Sequence, residues 1–322
     1  MHEESVEFFS EGTRISGLLR TAEAGEAGSA GPRPAIVQGP GWLGLKDSKL
    51  YVRYHEALTA AGFAVLIFDY RGFGDSDGDR GVLLPSLQLE DLVNAVTYLT
   101  TRDDVDARRI GAFGSGGTGG GNAVLLAAVD DRVRCVVSQV PVADGRDWLR
   151  RMRREHEWFE FLDRLEADRR TRVLTGRGEL VAPRDGIMVA TPERAQTKVK
   201  ADVDDRIPSL VPLRGAEAIL EYQPVDLVHR IAPRALMVIG VDKDAVTPTD
   251  HAHRLYEAAG APKRLVVQQH TTHYAAYDRY WTAVTPMIVE WFERYLVAAN
   301  LDVREDTGTS PTQEFVEVLE EA

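Results

Sequence analysis

The sequence predicts an α/β fold: a mostly parallel sheet covered by helices on both faces, with an inserted, mainly helical cap. Short apolar runs without internal alternation, at 35–38, 64–69, 109–113, 133–138, 235–241 and 264–268, alternate with stretches of helical periodicity. Unbroken apolar strands are those buried on both faces, as in parallel sheets flanked by helices. The rhythm breaks once, over 141–222, and then resumes. A chain of 322 residues with 44% hydrophobic content is long enough for one large domain with a sizeable core plus an inserted subdomain.

The elements follow in order. Residues 6–9 and 14–19 read as two short strands joined at Glu11-Gly12, the start of a hairpin. Residues 21–34 are rich in Gly, Ala and Glu and read as a mobile loop. Strand 35–38 runs into Gly39-Pro-Gly-Trp-Leu-Gly44, and a helix follows over about 49–61. Strand 64–69 lies between Gly62 and Arg71-Gly72. Residues 85–100 carry Leu89, Leu92, Val93, Val96 and Leu99 at helical spacing. Strand 109–113, a helix over 118–128 and strand 133–138 complete the first half. Over 147–172 Arg alternates with Glu and Asp around Trp148, Trp158, Phe159, Phe161 and Leu162, which predicts one long amphipathic helix with a solvated charged face. This segment is expected to cap the C-terminal edge of the sheet, its aromatics lining a pocket. Strand 235–241, helix 249–259, strand 264–268 and helix 280–299 restore the pattern. The expected division is a core of 1–140 and 223–300, a cap of 141–222, and an acidic C-terminal tail of 301–322 in which 312–321 is a peripheral helix or loose chain.

Charge narrows the partners. Lys and Arg number 38 against 50 Asp and Glu, a net −12, and no basic stripe suits a phosphate backbone, so nucleic acid is not an expected partner. Nowhere do ~18 apolar residues run together, and the N-terminal stretch has no basic region followed by an apolar core, so neither membrane insertion nor a secretory leader is expected. A cytoplasmic protein is the default, with a homodimer left open. The single Cys135 lies in the apolar run 133–137 and reads as a buried strand residue, and one cysteine excludes a disulfide within the chain.

The chemistry concentrates in Gly114-Ser-Gly-Gly-Thr-Gly-Gly-Gly121, at the strand-to-helix junction after 109–113. A nucleophile elbow, G-x-S-x-G, holds its serine on a strained turn where small flanking residues let helix and strand approach. Here Gly114 takes the first small position, Gly116 the centre and Thr118 the last, so the hydroxyl is missing. The competing candidate is Ser115, one place early. That choice would set Phe113 two residues before the nucleophile, where the turn tolerates almost no side chain, and would shorten the strand. A Walker-type phosphate loop is excluded because no Lys follows at the required spacing, and the formal G-x-G-x-x-G match of Gly114, Gly116 and Gly119 lies on a later strand than a dinucleotide site uses.

At these residues the chain resembles the α/β-hydrolase superfamily, over roughly 35–299, and within it the dienelactone-hydrolase and acyl-peptidase-like branch, which includes esterases and carbon–carbon bond hydrolases. The resemblance rests on Phe68-Asp-Tyr-Arg-Gly-Phe-Gly-Asp-Ser-Asp77, the elbow strand Arg109-Ile-Gly, Val136-Val-Ser-Gln-Val-Pro141, Gly240-Val-Asp-Lys-Asp-Ala-Val-Thr-Pro248 and His273-Tyr. It departs from the family at the catalytic serine. The resemblance implies an acid on the turn after 235–241, four residues before a proline, hence Asp244 rather than Asp242, and a base after the next strand, hence His273 rather than His270. It also implies an oxyanion hole made by the amides of Gly117 and of Trp42, since Pro40-Gly41-Trp42 matches the family's His-Gly-X. Asp69, Arg71 and Asp75 are expected to hold the loop after the strand. The pair His270 and His273 lacks a carboxylate at ligand spacing on the same element, so no metal is expected, and no cofactor either.

Deleting the nucleophile of a serine hydrolase costs about 10⁶ in kcat and leaves ~10³–10⁴ over water, or about 4–5.5 kcal/mol. That is too little for an amide or a plain ester. A positioned base adds ~10²–10⁴, and each pre-aimed amide ~10²–10³. These factors suit a small carbonyl substrate of modest barrier. Water attack on an activated lactone or thioester, cleavage of a β-dicarbonyl, elimination, and ring closure or isomerisation through an enolate all qualify. The leading expectation is therefore a cofactor-independent, non-covalent enzyme of hydrolase ancestry without conventional serine-hydrolase activity. Two other readings stay open: a non-catalytic binding protein of the same fold, and an ordinary serine hydrolase in which Gly has replaced Ser.

Overall fold

The structure, a computed structural model, describes residues 1–23, 31–196, 204–298 and 314–320. Strands β1 (His2–Ser10) and β2 (Thr13–Thr21) form an antiparallel hairpin longer than expected. Glu11 and Gly12 close it at φ 47° and 81°, the two consecutive positive values that a tight two-residue hairpin turn requires. Half of the loop expected over 21–34, residues 24–30, lies outside the described residues, while Thr21 ends β2 and Arg33 begins β3.

The central strands are β3 (Arg33–Gly39), β4 (Ala64–Phe68), β5 (Val105–Gly117), β6 (Val133–Pro141), β9 (Ala235–Val241) and β10 (Lys263–Gln268). The sheet order is β1-β2-β4-β3-β5-β6-β9-β10-β11, where β11 is Glu314–Leu319. The pairings of β1 with β2 and of β2 with β4 are antiparallel, and all others are parallel.

Helices α2 (Pro85–Thr100), α3 (Thr118–Val129) and α9 (Thr249–Ala258) pack on one face, with Leu92, Val96, Val124, Leu126 and Leu255 fully buried. Helices α1 (Lys49–Ala60) and α11 (Trp281–Phe292) cover the other through Leu58, Ile288, Trp291 and Phe292. Each such side chain stabilises the fold by about 1.5–3 kcal/mol. The neighbouring strands β3 and β5 thus send their chains to helices on opposite faces, α1 and α3. A crevice opens between their C-terminal ends, the place where open α/β sheets bind ligands.

Between β6 and β9 lie α4 (Gly145–Arg151), α5 (Glu155–Thr175), β7 (Leu180–Val181), α6 (Pro192–Gln196), β8 (Val211–Pro212), α7 (Arg214–Leu220) and α8 (Pro224–Leu227). Strands β7 and β8 pair only with each other, so the described part of this segment adds nothing to the main sheet. The single helix expected over 147–172 is two. At the break Arg153 donates to the carbonyls of Leu149 at 2.9 Å and Ile187 at 2.6 Å, and its guanidinium lies 3.7 Å above the Phe161 ring. That arrangement lets Trp148 and Trp158 enter one apolar cluster with Phe161, Ile187 and Ile219, which also takes in Trp42 and Tyr274. Phe159, expected in the pocket lining, is 57% exposed because it falls on the outer side of α5.

The helix expected over 280–299 stops as α-helix at Phe292 and ends in a π-turn, Glu293–Val297. The C-terminal tail needs a larger correction. Instead of a helix or loose chain, 314–319 extends the sheet as β11, parallel to β10, with Arg264 Nη2 donating to Glu317 at 2.7 Å. Phe315, Val316 and Val318 are aromatic and β-branched residues, which suit a strand better than a helix. Among the described residues no helix is long and apolar enough to cross a membrane.

The loops after β3 and β4 are tied by a buried charge network. Asp69 accepts from the Lys46 amide at 2.8 Å, Lys46 Nζ at 2.6 Å and the Asp75 amide at 3.0 Å. Arg71 clamps Asp91 of α2. A second buried polar group joins β2, β3 and α1: Arg20 Nη1 donates to His55 Nδ1, and His55 Nε2 donates to Gln38 Oε1, both at 2.6 Å. Burial, then the Arg20 charge, holds the His55 pKa well below its ordinary value. The fold therefore needs neutral imidazole, so this stability is present above about pH 6.5, the unfolded value, and is lost as pH falls below it. Thermal melts at pH 7.5 and 5.5 should show a drop for the native chain that shrinks in His55→Gln; equal drops would contradict the assignment.

Candidate active site

The carboxylate comes from the turn after β9. Asp244 is buried, its side chain 1% exposed, and every oxygen is used. Oδ1 accepts from the amides of Val246 at 2.8 Å and Thr247 at 2.6 Å, and Oδ2 accepts from His273 Nδ1 at 2.7 Å. A buried carboxylate is tolerable because three donors surround it. With the Nδ1 proton held on Asp244, Nε2 is left as the basic nitrogen. His273 is itself buried, and the rings of Tyr274 and Tyr277 stand edge-on to it at 4.9 and 5.9 Å.

The loop carrying His273 is pinned from two sides. Asp242 accepts from the amides of His270 at 2.8 Å and Thr271 at 3.2 Å, while Glu193 of α6 accepts from Thr272 Oγ1 at 2.5 Å and the Tyr274 amide at 3.1 Å. Asp242 and His270 therefore shape the loop, and Asp244 and His273 face each other. Among the described residues the cluster with metal-ligand geometry is Asp147, Asp250 and His251, away from this pair. Arg151 donates to both of its aspartates, at 2.8 and 2.7 Å, and the Ala143 amide donates to His251 Nδ1 at 3.2 Å, so it is a salt-bridge knot between α4 and α9.

The glycine-rich turn spans two residues. Gly116 has φ 79°, and Gly117, directly before α3, has φ 49° and ψ −106°. Centring on Gly116 alone is thus too narrow, though neither position carries a hydroxyl. An added Cβ separates structural glycines from the others. At Gly114 it would overlap the Gly119 carbonyl, at Gly119 it would lie 2.9 Å from Gly41 Cα, and at Gly120 it would lie 2.8 Å from the Gln139 carbonyl. At Gly116 the nearest atoms would be Tyr277 Oη at 3.4 Å and Gly41 Cα at 3.7 Å, and at Gly117 Val142 Cγ2 at 3.9 Å. There is room for a Cβ at the turn and none at Gly114, Gly119 or Gly120.

Ser115, the competing nucleophile, lies in β5 opposite Gln139 and is 2% exposed. Its Oγ donates to Gln139 Oε1 at 3.2 Å, and Gln139 Nε2 donates to Tyr54 Oη at 3.2 Å. Its proton is thus committed to the neighbouring strand.

Across the crevice, the Gly41 amide donates to Tyr51 Oη at 2.9 Å, and burial raises the Tyr51 pKa to about 12, keeping it a phenol. The Trp42 amide donates to no described residue. The Trp42 ring stands edge-on to Trp148 at 6.4 Å, beneath the Arg184 guanidinium at 5.6 Å. Arg184, Met188, Thr191, Arg194, Val246 and Tyr274 line a small recess beside the pair. Burial raises the Tyr274 pKa, and Arg184 and Arg194 pull against it. Sequence reasoning missed Tyr277, Gln139 and Glu193. The usable signal for Tyr277 was its place four residues after His273, one helical turn on, entering α10 (Ala276–Arg279).

Comparison with known proteins gives this geometry a setting. The sequence model of the X-Pro dipeptidyl-peptidase (S15 family) matches residues 27–275. An uncharacterized 31.7 kDa protein of the traX-finO intergenic region of Escherichia coli is 32% identical over 268 residues, 82% of this chain and 91% of that protein. Thiohydrolase aneE of Aspergillus aculeatus is 24% identical over 310 residues, 84% of this chain and 86% of that one. The crystal structure of the α/β hydrolase GrgF from Penicillium sp. superposes with a TM-score of 0.74 at 22% identity, covering 92% of this chain and 99% of that one, a likeness of fold.

Thermal and chemical denaturation should separate the glycines. Gly114→Ala, driven into backbone, should lose about 3 kcal/mol, whereas Gly116→Ala should lose only ~1 kcal/mol for its left-handed φ. Equal losses would mean that the turn has no room for a side chain.

Proposed function

The chain belongs to the X-Pro dipeptidyl-peptidase (S15) family of α/β hydrolases, and on that premise we propose that it hydrolyses an activated carbonyl compound, a thioester or lactone, without an acyl-enzyme. The observation that carries this reading is the His273–Asp244 pair at 2.7 Å, whose imidazole packs on Tyr277, the side chain that borders a turn whose two residues, Gly116 and Gly117, offer no nucleophile.

In this reading His273 Nε2 removes a proton from water as the water oxygen bonds to the carbonyl carbon. The carbonyl electron pair moves to oxygen, where the Trp42 and Gly117 amides stabilise it. Collapse breaks the bond to the thiolate or alkoxide, which takes the proton back from His273. Asp244 keeps the Nδ1 proton throughout and stabilises the imidazolium. No cofactor or metal enters the scheme.

Energetics favour activated substrates over the peptides in the family's name. Each aimed amide supplies about 10²–10³ and the base about 10²–10⁴, too little for an unactivated amide. The thiohydrolase name of a relative that aligns with most of the chain fits a thioester.

The test is turnover of a thioester and lactone panel, with intact-mass analysis after fluorophosphonate treatment. The native chain should hydrolyse at least one member with neither a burst nor a covalent adduct, and His273→Ala should lose ~10²–10⁴ in kcat while melting normally. Gly116→Ser should gain a burst and label. Full activity in His273→Ala, or labelling of the native chain, would overturn the reading.

A further inference from the structure

The interior of the site holds a polar group, the Tyr277 hydroxyl, that the scheme above does not use. Tyr277 is 5% exposed, and its Oη has no partner of good hydrogen-bond geometry among the described residues, although Ser115 lies close enough to interact with it. A buried, unsatisfied hydroxyl is costly in a folded protein and calls for an explanation. The direction it faces supplies one. Tyr277 Oη lies 3.4 Å from the place a Cβ would take on Gly116, nearer than any other atom. Its ring stands against that of His273 at 5.9 Å between centroids and 84° between planes. The phenol therefore borders both the general base and the space above the turn.

The neighbouring groups leave the hydroxyl available. Ser115, beside it, spends its proton on Gln139, and Tyr54 takes the other end of that amide. Burial pushes the Tyr277 pKa well above that of an ordinary phenol, with Ser115 easing it, so the group stays protonated at neutral pH and acts as a donor. Replacing a serine by glycine removes the oxygen that a hydrolase would place above the turn. A water that takes over that role needs a holder as well as a base, since a reacting water must be fixed within about 3–3.5 Å of the carbonyl carbon to gain from orientation.

We propose that Tyr277 is a catalytic residue whose O–H donates to the attacking water above Gly116 and fixes it between His273 Nε2 and the substrate carbonyl. One lone pair of the water accepts from Tyr277, one proton points to His273, and the second lone pair forms the new C–O bond. The water proton goes to His273, the carbonyl pair to the oxyanion, and the Tyr277 proton stays on Tyr277. This rests on the non-covalent reading given above.

The experiment compares the native chain with Tyr277→Phe, Gly116→Ala and the double variant, using phenyl thioacetate and following thiophenol release. Tyr277→Phe should lower kcat at least tenfold with KM changed less than threefold. Gly116→Ala, whose methyl intrudes on the water, should lower kcat similarly, and the double variant should be no slower than the slower single one. Full kcat in Tyr277→Phe, or fully additive losses, would overturn the proposal; if His273→Ala is dead in the same assay, the general-base reading survives. Activity in His273→Ala as well would remove both. A readout independent of any substrate is the melting temperature of Tyr277→Phe. It should be unchanged or higher, because a hydroxyl without a protein partner is being removed; a fall of more than about 5 °C, outside the range of a neutral surface-like change for a chain of this size, would show a structural partner and end the proposal.

Discussion

The contact on which this site depends is one between two backbones, where the loop after β3 meets the turn after β5 with no side chain between them. A Cβ on Gly41 would lie 2.8 Å from the Ser115 carbonyl and 3.1 Å from that of Gly116, and a Cβ on Gly119 would lie 2.9 Å from Gly41 Cα. Glycine is the residue that permits such an approach. Its consequence is that no side chain fits at Gly119, one of three glycines in the first turn of α3, each about 1 kcal/mol less favourable in a helix than alanine. That helix persists because Val124 and Leu126 are fully buried against the sheet, each contributing about 1.5–3 kcal/mol.

Around this contact the polar groups are over-determined. Asp244 has all its acceptor sites filled, and the loop bearing its partner is held by Asp242 from the sheet side and Glu193 from the inserted segment. Leaving one member of a buried hydrogen-bonded charge pair without its partner costs several kcal/mol, so the imidazole has little freedom to turn away. A base held in this way does not need to reorganise when charge develops on it, which is the form in which electrostatic stabilisation is most effective. The Lys46–Asp69 bridge does the corresponding service for the opposite wall, tying the β3 loop to the end of β4.

Much of this arrangement was legible in the residues because it is written in local patterns. Unbroken apolar runs marked the central strands, and the spacing of Asp244 to Pro248 and of His273 after the next strand marked the pair that the structure joins. What escaped has a physical reason in each instance. The six residues of β11 gain their strand pairing from β10, some fifty positions earlier, and an acidic composition masked the strand-forming Phe315, Val316 and Val318. The break between α4 and α5 depends on Arg153 capping Leu149 and stacking on Phe161, contacts that the charge pattern of the segment does not encode. Tyr277 was not singled out, since only the folded chain shows that its hydroxyl faces Gly116.

The two glycines at the turn also bear on the non-covalent mechanism proposed above. A residue with a side chain held at φ 49–79° carries backbone strain of about 1–3 kcal/mol, which a hydrolase tolerates because the strain projects the nucleophile at the substrate. Glycine adopts the same angles without that penalty. In that proposal no acyl bond makes use of the projection, so the strain would have nothing to offset it. Glycine at both positions relaxes the turn as well as leaving it without a hydroxyl.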